Sequence, residues 1–133
     1  MVEKSFKKII VSLKEQSVTA FDGEKLFHRC ECVSGDSDHP TPKGTFEISR
    51  KEHPYRSKKY DVQMDYAQFF HGGVALHQYH GPAPWFVLRA GRSITDAIGS
   101  HGCVRLQESD AKLLYNWTTR TTDKKRGTKV EVK

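Results

Sequence analysis

The stretch SHGCVRL, from Ser100 to Leu106, brings a thiol close to an imidazole, with Cys103 following His101 and only Gly102 between them. Cysteine acts as a nucleophile where a neighbour lowers its pKa or accepts its proton, most often an imidazole. Four of the seven histidines, His71, His77, His80 and His101, fall in the same third of the sequence as Cys103. Gly102 has no side chain, so the backbone N–H groups of Gly102 and Cys103 stay accessible to an oxygen that turns negative during acyl transfer. Two other readings stand beside this one. A lone cysteine is commonly a small buried hydrophobe, and on spacing alone that is the leading reading of Cys103. Cys103 with His101 and one of His71, His77 or His80 would also supply three zinc ligands, although His-x-Cys is an unusual ligand spacing and no C-x-x-C pair accompanies it.

The elements around these residues read as mostly strands. Lys8 to Leu13 is a β-branched run, Gln16 to Phe21 alternates with period two, and Asp22-Gly23 is a hairpin signal. Leu26 to Val33 alternates as well, putting Leu26, His28, Cys30 and Cys32 on one face and Phe27, Arg29, Glu31 and Val33 on the other. Cys30 and Cys32 lie too close along an extended chain to bridge each other and read as buried thiols. Ser34 to Lys43 is a loop, and a short strand resumes at Gly44 to Ile48. Ser49 to Asp65 is a basic, tyrosine-rich excursion that ends in a strand near Val62 to Asp65. Gly72-Gly73 turns into a buried strand with His77 at its far end. Gln78 to Gly99, rich in proline and glycine, reads as a long surface loop with room for a short strand. One helix follows the cysteine motif, capped near Ser109, with Ala111, Leu113, Leu114 and Trp117 as its apolar face. Thr128 to Val132 closes the chain as a strand.

The 133 residues suffice for one domain with its own core, and 36% apolar with 29% charged residues is a globular composition. A formal charge of +6 favours anionic partners. The basic stretches, Arg50-Lys51, Arg56 to Lys59 and Lys124 to Arg126, lack a helical stripe or interleaved aromatics aimed at bases, which argues against nucleic acid. Three cysteines leave at least one thiol unpaired in a monomer. The N-terminal MVEKSFKKIIVSLKEQ has too short an apolar run and too many charges for a signal peptide or a spanning helix.

SHGCVRL with the upstream GGVALH resembles the signature of the L,D-transpeptidase catalytic domain, the YkuD family. KKIIVSLKEQSVTAFDGEKL is similar to that family's opening hairpin, VSGDSDHPTPKGTFEI to its T-P-x-G segment, and GTKVEV to its closing strand. Four matches in the family's order cover most of the chain and make Cys103 the expected nucleophile. The resemblance implies a single domain over residues 1–133. Its expected fold is mainly β, a barrel or sandwich with one main flanking helix near the C-terminus.

The same resemblance implies a reaction on peptidoglycan stem peptides. Cys103 would attack the third residue's carbonyl, D-alanine would leave, and the thioester would pass to an amine of a second stem as a 3-3 crosslink. Water as acceptor would make an L,D-carboxypeptidase, and a non-catalytic wall-binding module is the alternative from another class. His77 is the expected base, with His80 as alternative because Gln78 to Gly99 is a long gap for the family. Gly102, His101 and Ser100 would support the nucleophile, and Arg105, Tyr66 and Trp85 would meet substrate. No cofactor, metal, nucleic acid or stable membrane insertion is expected, and the protein is expected to be a monomer. The substrate implies a periplasmic or envelope location after removal of a leader, with a cytosolic role on precursors as the alternative.

Overall fold

A computed structural model describes residues 6–59, 61–95 and 102–133. In chain order the elements are β1 (Lys7–Ser12), β2 (Ser17–Asp22), β3 (Lys25–Glu31), β4 (Gly44–Glu47), β5 (Arg50–Glu52), β6 (Arg56–Ser57), β7 (Val62–Gln63), β8 (Ala67–His71), β9 (Val74–Gln78), α1 (Trp85–Thr95), β10 (Val104–Leu106), α2 (Glu108–Trp117) and β11 (Lys129–Val132). One sheet has the order β3-β2-β1-β11-β4, a second β10-β9-β8-β5, and β6 pairs with β7 alone. The expected β architecture is present as open sheets facing a shared core, not as a closed barrel.

Alternation explains which side chains enter that core. Ile9 and Val11 of β1 lie beside Val130 and Val132 of β11 in parallel register, and all four are buried. From the second sheet come Phe70, Leu76, Val104 and Leu106, and from α2 come Ala111 and Leu114. Each fully buried aliphatic side chain contributes about 1.5–3 kcal/mol relative to exposure. The β2–β3 hairpin turns at Gly23, whose φ of 64° is readily available to glycine. A bulge on β3 opposite Ala20 and Phe21 alters the expected facing. Phe27, expected on the face away from Cys30, instead stacks on Trp117 of α2 at 4.5 Å.

Helix α2 lies where the sequence pattern predicts, but Ser109 is not its cap. Gln107 holds that position without a side-chain hydrogen bond, and Glu108 and Asp110 set negative charge against the N-terminal dipole. At the other end Lys7 Nζ donates to the Trp117 carbonyl at 2.6 Å and Lys51 Nζ to that of Thr118 at 2.9 Å, so two cations meet the carbonyl end. Leu113, expected in the apolar face, is 40% exposed.

Helix α1 was not expected, because Pro82, Pro84 and the surrounding glycines read as loop. Pro84 stands just before the first turn, where its missing N–H removes no helical bond, and its carbonyl accepts from Val87 and Leu88 at 3.1 and 3.0 Å. Leu88 anchors the helix in the interior while Phe86 stays 74% exposed. Among the described residues no helix is long and apolar enough to cross a membrane.

Candidate active site

Strands β9 and β10 run parallel with Leu76 opposite Val104 and His77 opposite Arg105. Leu76, Val104 and Leu106 fill the main core, so alternation turns Ala75, His77, Cys103 and Arg105 to the opposite face. On that face His77, Cys103 and Arg105 line one cavity of about 650 Å³. Cys103 Sγ accepts a hydrogen bond from the Ala75 N–H at 3.4 Å and lies 3.6 Å from the Gly73 carbonyl. The Gly72-Gly73 turn thus ends where the thiol is held.

His77 is 3% exposed. Its Nδ1 lies 2.8 Å from the Gln78 carbonyl, and because a carbonyl only accepts, that nitrogen carries the proton and Nε2 keeps a lone pair. Burial pushes the imidazole down to about 4; the Gln78 carbonyl opposes that shift and the Arg105 charge adds to it. Burial pushes the Cys103 thiol up, with the Ala75 N–H and Arg105 pulling the other way. The resting pair is therefore a neutral thiol and a neutral imidazole.

Gly102 has a φ of 114°, a conformation that L side chains rarely adopt, and its carbonyl accepts from Thr41 Oγ1 at 2.6 Å. Thr41 Oγ1 also accepts from the Gly35 N–H at 3.0 Å. A Cβ on Gly35 would come within 2.9 Å of Gly102 Cα and 2.0 Å of the His39 carbonyl. The loop between β3 and β4 is thus shaped to seat the residue before Cys103, a role for Gly35 and Thr41 that sequence reasoning missed. Only their similarity to the family's T-P-x-G segment marked the region.

The remaining wall is the excursion after β5. Tyr55, Arg56, Ser57, Lys58, Lys59, Val62 and Met64, from the β6–β7 hairpin and its flanks, line the cavity together with Arg50 and Phe69. Arg50 lies flat over Phe69 at 3.9 Å and near Tyr55 at 5.6 Å, so stacking holds its guanidinium. Five cationic residues, Arg50, Arg56, Lys58, Lys59 and Arg105, line the cavity, Arg56 in an ion pair with Asp61 at 2.7 Å, and among the described residues no acidic residue lines it. The basic tract carried this signal in sequence, but nothing there assigned it to a cavity.

Several expected site residues lie elsewhere. Tyr66 sits at a positive-φ turn (55°) that lays its ring on His53 at 3.9 Å, away from the cavity. Trp85 is carried off by α1 and donates Nε1–H to Glu31 at 3.0 Å. His80 pairs with Asp65 at 3.1 Å and does not line the cavity. Ser100 and His101 lie outside the described residues. Among the described residues, three metal-ligand atoms within 4.8 Å of one another occur at His28, Cys30 and Asp110; the alternative zinc set of Cys103 needs His101, which lies outside them.

Fold and cavity together define a β domain with a histidine on one strand and a cysteine just before the start of the parallel strand beside it, beneath a cationic wall. The family model described as the L,D-transpeptidase catalytic domain, YkuD, matches residues 7–132, and the chain belongs to that family. Among solved structures it is similar to an L,D-transpeptidase (Yku) from Stackebrandtia nassauensis, with 30% identity and a TM-score of 0.79 over 100% of this chain and 58% of the other. It is also similar to a fused Zn-dependent amidase/peptidase/peptidoglycan-binding domain-containing protein from Clostridium acetobutylicum, with 31% identity and a TM-score of 0.68 over 96% of this chain and 52% of that one. An Enterococcus faecium L,D-transpeptidase, in a cysteine-to-serine variant, shares the fold at 24% identity and a TM-score of 0.78, over 99% of this chain and 50% of its own. The chain thus spans little more than half the length of these structures. No curated protein matches it.

Proposed function

We propose that this domain transfers acyl groups between peptidoglycan stem peptides, with Cys103 as nucleophile and His77 as general base and acid. The observation that carries the reading is that Cys103 and His77 face one cavity while the Gln78 carbonyl leaves His77 Nε2 free to accept a proton. The substrate class rests on family membership and on the cationic lining, which suits the carboxylates of a stem peptide.

In the first half-reaction His77 Nε2 takes the Cys103 proton and Sγ attacks the carbonyl of the third stem residue. Backbone N–H groups at Gly102 and Cys103 stabilise the oxyanion. The C–N bond to D-alanine breaks, His77 protonates the departing amine, and a thioester remains. In the second, the acceptor stem's side-chain amine attacks the thioester and gives its proton to His77. An amide forms, and the Cys103 thiolate leaves and recovers that proton. With burial holding the thiol above its ordinary range and the imidazole below its own, the first proton transfer is uphill in the resting site. The ion pair is thus formed against bound substrate and is not stored beforehand, and Arg105 supplies the nearest positive charge for the thiolate. Arg105 also offers a bidentate partner for a substrate carboxylate. Such a substrate supports a cell-envelope location for the working protein, with a cytosolic role on precursors as the alternative.

Mass spectrometry of the intact protein with a disaccharide-tetrapeptide tests this reading. An adduct on Cys103 equal to the stem minus D-alanine is expected, and it should be discharged to a crosslinked dimer when an amine acceptor is added. Discharge only to free tripeptide would convert the transpeptidase into a carboxypeptidase. The absence of any adduct, together with failure of iodoacetamide or a carbapenem to modify Cys103, would leave a wall-binding module.

A further inference from the structure

A second cysteine-histidine group lies outside the cavity. His28 and Cys30 stand two residues apart on the same face of β3, and that face meets the first turn of α2, where Asp110 sits. One ligand atom from each of the three lies within 4.8 Å of the others, and all three residues are half-buried. His28 Nε2 and Asp110 Oδ1 are 2.8 Å apart. None of the three lines the catalytic cavity. From these placements we propose that Cys30, His28 and Asp110 form a binding site for a zinc-class divalent cation that ties β3 to α2.

The donor chemistry selects the cation. One thiolate, one imidazole and one carboxylate make a mixed S/N/O set, which suits zinc better than the all-oxygen preference of calcium or magnesium. Zn–S near 2.3 Å and Zn–N or Zn–O near 2.0 Å in a tetrahedron require ligand atoms about 3.3–3.6 Å apart. To reach that spacing the His28–Asp110 contact opens from 2.8 Å and the Cys30 thiol, within 4.8 Å of both, closes on the cation that takes its place. The Cys30 thiol gives one proton to solvent, the imidazole keeps its own on the nitrogen facing away, and water completes the fourth position. A divalent charge balances that thiolate and carboxylate together. The site is also braced, since Phe27 on β3 stacks on Trp117 of α2 at 4.5 Å and Lys7 donates to the Trp117 carbonyl.

Titration of the reduced chain with Co²⁺ and then Zn²⁺ tests the site. One equivalent of Co²⁺ should produce a thiolate-to-cobalt charge-transfer band that Zn²⁺ removes, and zinc at a hundredfold excess over its Kd should raise Tm by about 10 °C. Both signals should disappear in Cys30→Ser and in His28→Gln and persist in Cys103→Ala. Absence of the band in the unmodified chain would overturn the proposal. So would a band that survives Cys30→Ser and is lost in Cys103→Ala, which would put the cation at the catalytic cysteine. If Cys30→Ser does not fold by circular dichroism, His28→Gln decides alone, and an undiminished band there refutes the site.

Discussion

Cys103 and Cys30 are half-buried thiols, and burial raises the pKa of both, yet the charges around them are opposite in sign. Arg105 stands by Cys103 and favours its thiolate, while Asp110, then Cys32 and Glu31, stand by Cys30 and oppose its ionisation. Their histidines differ in the same sense. His77 gives Nδ1–H to a backbone carbonyl and keeps Nε2 free, whereas His28 is engaged by the Asp110 carboxylate. Cys103 opens on a cation-lined cavity and Cys30 on the seam between β3 and α2. A cysteine and a histidine therefore do not define a chemistry: a positive field with a free lone pair suits nucleophilic attack, and a negative field suits a cation.

The largest effect that would break this contrast is at Cys103, the proposed nucleophile. Cys103→Ala should abolish the acyl adduct and lower turnover by about ten-thousandfold or more, whereas Cys30→Ser should leave turnover within about threefold. Comparable losses in the two variants would erase the distinction. His77→Asn comes next, with an expected fall in kcat of about 10²–10⁴-fold, measured by release of D-alanine, against almost none for His80→Gln. The opposite order would make His80 the base.

The pH response follows from burial of His77. Its folded value of about 4 lies below its ordinary 6.5, so the unfolded chain binds this proton more readily. Stability from this group is present in full above about pH 6.5 and is lost as pH falls towards 4, by about 3 kcal/mol at most. Urea unfolding at pH 7 and pH 4.5 should show that loss, and His77→Asn should remove this share of it. The acid limb of kcat/KM should likewise fall near pH 4 and not near 6.5, since the base must be neutral in the free enzyme.

A smaller effect is expected at the wall. Lys58→Glu places a carboxylate in a cavity that otherwise presents cations, and it should raise KM for a carboxylate-bearing stem by about tenfold at low salt. The difference should shrink as salt is added. An effect on kcat alone would show that the lysine acts on something other than substrate charge.

Legibility in sequence divided along physical lines. The strand that carries His77 and the helix with Ala111 and Leu114 were readable because a glycine turn into a short apolar run and helical periodicity are local patterns that core burial enforces. The motif around Cys103 was readable as a family likeness, while its chemistry from residue types alone was not. Helix α1 was hidden because Pro84 looks like a breaker and acts as a helix start. The β6–β7 wall was hidden because two-residue strands are too short to alternate. The seat for Gly102 depends on a contact from Thr41, 61 residues away, and the facing of Phe27 on a one-residue bulge. Neither leaves a local pattern. Tyr66 and Trp85 were assigned by nearness in sequence, and a turn and a helix take them elsewhere.

The finest test uses mirrored substitutions beside the two thiols. Arg105→Gln removes the cation that favours the Cys103 thiolate, so alkylation of Cys103 by iodoacetamide at pH 8 should slow by a few-fold, about half a log unit. Asp110→Asn removes the carboxylate that disfavours the Cys30 thiolate, so alkylation there should quicken. Asparagine can still accept from His28, and the side chains of His28 and Asp110 are 27% and 17% exposed. Metal-free stability should therefore change by less than about 1 kcal/mol. The cation site needs the carboxylate's charge, so the same Asp110→Asn variant should lose most of its stabilisation by zinc. Opposite shifts in alkylation would show that field sign separates the two cysteines, whereas unchanged rates in both variants would leave burial alone to account for both.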